Sequence, residues 1–120
     1  MSNNEISNIQ ISNDVVATIA GVAATEVEGV SSLSASLSAN IKDLIYKKNA
    51  GKGVSVDINE NGEATLTINM IVKYNYKIQD VALTVQDQVI RAVSDMTNYS
   101  VAAVNVNVVG VDIPKQTEEK

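Results

Sequence analysis

Lys42, Lys47, Lys48 and Lys52 stand within eleven residues against a single acid, Asp43, in a chain whose formal net charge is −5. Such a cluster can do the chemistry of recognition, facing anionic lipid headgroups or an acidic protein partner. A lysine near an anionic membrane contributes about 1 kcal/mol before salt screening, so these four are too few to anchor a protein unaided. The competing reading of the same residues is a solvated loop. Other constellations imitate metal, catalytic or phosphate chemistry. Asp57, Asn59, Asn61 and Gly62 match the first half of a calcium loop, D-x-N-x-N-G, but Ile68 occupies the place of the bidentate glutamate and the flanks alternate as strands. A turn is expected there. Asp87, Arg91 and Asp95 follow one another at i,i+4, a spacing that surface pairing along a helix explains better than acid-base catalysis. Gly51-Lys52-Gly53 lacks the earlier glycine and the preceding strand of a phosphate-binding loop.

Composition removes most remaining reactive chemistry. The 120 residues include no cysteine and no histidine, which excludes disulfides, thiolate nucleophiles, the usual general base and the commonest metal ligand. The chain therefore reads as non-enzymatic, with no cofactor and no metal. Its acidity opposes a phosphate backbone, and with no tryptophan or phenylalanine it has little to stack on bases. No nucleic acid is expected. The opening MSNNEISN has no basic residue ahead of an apolar stretch, and the nearly apolar run at 15–24 is far shorter than the roughly 20 residues a membrane span needs. These features point to a cytoplasmic protein without direct membrane insertion.

The elements that must position these residues follow from periodicity. Residues 1–8 and 113–120 are expected to be disordered tails around a single domain at 9–112. A first helix, capped by Ser12 or Asn13, is expected to run to about Glu28 and leave through Gly29. Val15, Val16, Ile19, Ala20, Val22, Ala23 and Val27 give it a broad apolar arc, and Ala17, Gly21 and Ala24 form a strip of small residues that would permit close helix approach. Glu26 falls inside the arc and is expected to reach water from the helix end. A serine-rich connection follows, with a short helix around 38–48 suggested by Leu37, Ile41, Leu44 and Ile45. Val54, Val56 and Ile58 then alternate with polar residues, Asn61-Gly62 turns the chain, and alternation resumes from 64 to 76, the pattern of a β-hairpin with one polar face.

Val81, Val85, Val89, Ala92, Val93 and Met96 share one side of a second helix at 78–96, with Asp80 as the expected N-cap and Asn98 as a left-handed residue past its end. Alternation of Val104, Val106 and Val108 with Asn105 and Asn107 marks a strand at 99–111, whose phase slips at Val109 beside Gly110, the mark of a bulge. The fold class is α+β: two layers, with two main helices on one face of a small mixed sheet of three to four strands. A crossover through the second helix makes the last strand parallel to the strand at 64–76, and residues 9–11 are expected to add a short edge. Self-association is expected through an edge of the long strand or through Ala17, Gly21 and Ala24, with packing inside the monomer the favoured use of that strip.

Three segments, IQISNDVVATIAGVAATEVEGV at 9–30, KGVSVDI at 52–58 and VKYNYKIQDVALTVQDQVIRAVSDMTNYSVAAVNVNVVGV at 72–111, resemble the alkaline shock protein family, also called the Gls-type envelope stress response family of Gram-positive bacteria. Asn75 and Asn98 stand where that pattern often has glycine, and both tolerate left-handed φ; the serine-rich 31–38 segment is less family-like. The resemblance implies a non-enzymatic cytoplasmic protein of the stress response. It would serve cell-envelope homeostasis through protein–protein interaction, held peripherally at the inner membrane face by a membrane-anchored protein partner and sometimes self-assembling. A branch of the family implies the alternative, a regulatory adaptor linked to fatty-acid metabolism.

Overall fold

The structure, a computed structural model, describes residues 9–34 and 53–114. The four lysines and the expected helix at 38–48 lie outside the described residues.

Helix α1 (Asn13–Thr25) begins where Ser12, in extended conformation, accepts a hydrogen bond from the Val15 amide at 3.3 Å. Asp14 sits in its first turn, beside the positive end of the helix. The helix stops at Thr25, three residues short of the expected end, and Glu26 is its exposed C-cap. Gly29, with φ +101°, turns the chain into a strand that the sequence reading did not contain, β1 (Val30–Leu33). Strands β2 (Val54–Ile58) and β3 (Glu63–Lys73) form the hairpin. Helix α2 (Ile78–Met96) crosses over to β4 (Ser100–Asp112).

Strand β3 is the middle of the sheet. It pairs antiparallel with β2 over 64–68 and with β1 over 70–72, and parallel with β4 along its whole length. The sheet is therefore mixed, as expected, and β1 and β2 lie end to end along one side of β3. Two bulges interrupt the β3–β4 ladder, at Ala102 and at Val109, the second beside Gly110 where the apolar phase slips. The expected edge at 9–11 does not form a strand; instead the Ile11 carbonyl accepts from the Tyr99 hydroxyl at 3.0 Å.

Alternation along β3 divides the two layers. Ala64, Leu66, Ile68, Met70 and Val72 are fully buried beneath the helices, while Thr65, Thr67, Asn69 and Ile71 lie on the opposite, partly exposed face. There Asn107 Nδ2 donates to Asn69 Oδ1 at 2.9 Å across the β3–β4 pair. Helix α1 covers β1 and β2, α2 covers β4, and the helices pack against each other. Val81, Val85, Val89 and Val93, at a strict spacing of four, carry the buried stripe of α2, joined by Val16, Ala20 and Ala24 from α1.

The ends of α2 differ from expectation. Lys77 is its N-cap and makes no side-chain cap bond, so Asp80 lies within the first turn, where its carboxylate still opposes the helix dipole favourably. At the other end Asn98 is not left-handed. Thr97 ends the helix in extended conformation; its hydroxyl donates to the Val93 carbonyl at 2.8 Å and accepts from the Tyr99 amide. Met96, expected on the apolar side, is exposed, because the buried row at a spacing of four continues from Val93 to Thr97 and leaves Met96 beside it. Strand β3 also stops at Lys73, since Asn75 adopts φ 81° and turns the chain, which removes Tyr74 and Tyr76 from the strand.

Candidate functional site

The chain leaves the sheet at Ser34 and returns at Gly53, and both points are fixed to one residue of β3. The Ser34 amide donates to the Asn69 carbonyl and the Asn69 amide to the Gly53 carbonyl, each at 2.8 Å. Gly53 has φ +82°, and a Cβ there would meet the Ser34 carbonyl oxygen at 2.7 Å. Close approach of two backbones is what requires glycine here. Residues 35–52, with Lys42, Lys47, Lys48 and Lys52, are thus inserted between two stems that meet in the middle of the sheet, and Lys52 adjoins the returning stem. The lysines themselves lie outside the described residues.

A second feature is a shallow, open depression of about 390 Å³ lined by Glu28, Tyr76, Lys77, Asp80 and Thr84 at the start of α2. Gly29 makes its floor possible: a Cβ there would stand 2.7 Å from Val81 Cγ2 and 2.9 Å from Tyr76 Cδ2. Freed of that atom, the Tyr76 ring lies across the turn and its hydroxyl donates to Glu28 Oε2 at 3.2 Å. That hydrogen bond, then the negative charge of Glu28, raises the Tyr76 pKa above its ordinary value. A phenol so held stays protonated at neutral pH and is no general base. Because the folded pKa is raised, the bond contributes fully below the ordinary tyrosine value and is lost as pH rises through the raised one. Spectrophotometric titration should show the high-pH component disappear in Tyr76→Phe and move down in Glu28→Gln; an unchanged profile in Glu28→Gln would contradict the pairing.

The calcium-like stretch is a turn. Asn59 uses its side-chain oxygen to accept from the Asn61 and Glu63 amides at 2.9 and 3.0 Å, its Nδ2 donates to Glu63 Oε1, and Gly62 takes φ +79°. The Asn59 side chain is thus engaged in closing the hairpin. Arg91 Nε pairs with Asp87 Oδ2 at 3.1 Å with both side chains well exposed, a surface pair of small energetic weight. Ala17, Gly21 and Ala24, the small-residue strip of α1, are buried within this fold. Contacts not legible in the sequence include Glu28 with Tyr76 and Gln86 with the Val104 carbonyl. The partners are 48 and 18 positions apart, and no local periodicity marks them.

A two-layer α+β domain with an inserted segment between paired sheet stems is the class of molecule these features define. The chain belongs to the alkaline shock protein 23 family, described as having a cell envelope-related function, whose pattern it matches over residues 1–113. It is similar to the uncharacterized protein YqhY of Bacillus subtilis, with 30% identity over 95% of this chain and 84% of that one. It also resembles the uncharacterized protein Spy1535 of Streptococcus pyogenes, with 36% identity over 92% of this chain and 84% of the other. The uncharacterized protein YloU of Bacillus subtilis is 32% identical over 88% of each chain. No solved structure matches. Among the described residues no helix is long and apolar enough to cross a membrane.

Proposed function

We propose that this protein supports cell-envelope homeostasis as a protein–protein interaction module, held at the inner face of the membrane by a membrane-anchored partner that its basic insertion contacts. The observation that carries this reading is the pairing of the Ser34 and Gly53 stems on Asn69, which ties both ends of the segment bearing Lys42, Lys47, Lys48 and Lys52 to one point of a rigid sheet. A lysine-rich segment anchored in this way loses less freedom on binding than a free tail of equal charge. Family membership supplies the envelope context. The lysines act on a protein because the whole chain is acidic, so an anionic bilayer repels the rest of the molecule and four lysines do not offset that repulsion at physiological salt.

Affinity capture with the full chain from cells under envelope stress tests this. An integral membrane protein that binds wild type and is lost from a Lys47→Glu, Lys48→Glu double variant is the expected result. Recovery of a soluble enzyme of fatty-acid synthesis, with no membrane protein, would replace this reading with the lipid-metabolism adaptor.

A further inference from the structure

The sheet has two outer edges, and they differ. The edge made by β1 and β2 is interrupted between Ser34 and Gly53, and Asn13 Nδ2 donates to the Val56 carbonyl on it. Strand β4 runs for 13 residues, with no proline and no charge before Asp112. Between its bulges at Ala102 and Val109 lies a regular stretch, Ala-Val-Asn-Val-Asn-Val at 103–108. Natural outer strands are blunted by lysine, proline, inward charge, short length, bulges or a covering element; this one has only its two bulges, which leave 103–108 regular, and the Gln86 side chain on one carbonyl.

One contact fixes the strand's orientation. Gln86 Nε2 donates to the Val104 carbonyl at 2.9 Å. Backbone groups of successive strand residues point to opposite sides, so Val104, Val106 and Val108 turn theirs outward while Ala103, Asn105 and Asn107 face β3. Among the described residues nothing else meets that outward row. Leu83 and Ile90 stand three before and four after Gln86 and so share its face of α2; they are 56% and 40% exposed. An apolar stripe therefore overhangs the unpaired strand.

We propose that β4 pairs antiparallel with β4 of a second copy of this chain, about a two-fold axis at Val106. A strand is what an outward row of amides and carbonyls accepts. The stretch at 103–108 is complementary to itself: centred on Val106, Val104 of one copy meets Val108 of the other and Asn105 meets Asn107, so valines face valines beneath the helices and asparagines face asparagines on the open side. The absence of charge in the stretch lets two acidic chains approach there. The same two-fold brings the Leu83 and Ile90 stripes together above the joined sheets, and Gln86 yields the Val104 carbonyl to the incoming strand. This pairing is independent of membrane docking and is read on purified protein.

Sedimentation of the full chain should show concentration-dependent dimers, and hydrogen exchange should show the Val106 and Val108 amides becoming protected as dimer forms. Val106→Pro removes an outward amide without touching the ladder to β3, and Leu83→Glu with Ile90→Glu places like charges across the axis. Both should give folded monomers by circular dichroism, whereas Val22→Glu, on the outer face of α1, should leave dimerisation unchanged. Should Val106→Pro fail to fold, the Leu83→Glu, Ile90→Glu variant and the exchange pattern decide the matter. A wild type that stays monomeric at every concentration overturns the proposal, as does association that survives the α2 double variant or that is lost only in Val22→Glu.

Discussion

Gly29→Ala is expected to lower the unfolding free energy by about 2–4 kcal/mol, the sum of a strained backbone and an overfilled contact. The strain follows from φ +101°, which alanine rarely adopts, and the overfilling from Val81 Cγ2 at 2.7 Å and Tyr76 Cδ2 at 2.9 Å from the added Cβ. Tyr76 is a surface side chain and can give way. Val81 belongs to the core and cannot move without disturbing the stripe on α2. The Gly29 carbonyl also accepts from the Lys73 amide at 2.8 Å, so a shift of the turn would loosen the end of β3 as well. Urea unfolding should show a clearly lower midpoint with the same slope. An unchanged midpoint would mean that the turn between α1 and β1 is not as described.

The second large effect separates the two faces of one strand. Ile68→Ala, at a fully buried position under both helices, is expected to cost about 3–4 kcal/mol through lost transfer energy and the cavity left behind. Ile71→Ala, three residues on and on the partly exposed face, is expected to cost clearly less, about 1–2 kcal/mol, because part of its surface already meets water and solvent can reach the space left behind. The comparison uses the same chemical change in the same strand, so propensity cancels. Equal costs at the two positions would contradict the placement of both described helices on one side of the sheet.

Strong periodicity made α2 and β4 readable from the residues. Four valines at intervals of four define the buried side of α2, and the Val/Asn alternation of 104–108 defines both faces of β4 together with the slip at Val109. The parallel β3–β4 pairing followed from the length of the connection between them. Where the signal was short or shared with another pattern, reading failed. Val30-Ser-Ser-Leu offers four residues, only one fully buried, within a serine-rich run, so β1 passed for a loop. Val72, Tyr74 and Tyr76 continue the alternation of β3 although Asn75 has already reversed the chain. Small residues at 17, 21 and 24 fit either close packing within the domain or a surface between molecules, and in this fold they lie buried in the domain. The outer strand of the sheet was unidentifiable in the same way, because which strand is left unpaired depends on the order β3 imposes on the other three.

Flotation of the purified full chain with anionic liposomes, set beside fractionation of cells expressing wild type and the Lys47→Glu, Lys48→Glu variant, tests the central claim most directly. Pure protein should not float, wild type in cells should give a membrane fraction, and a folded variant should lose that fraction. Strong flotation of the pure chain, or a membrane fraction that the variant retains in full, would contradict docking through a protein partner by the basic insertion.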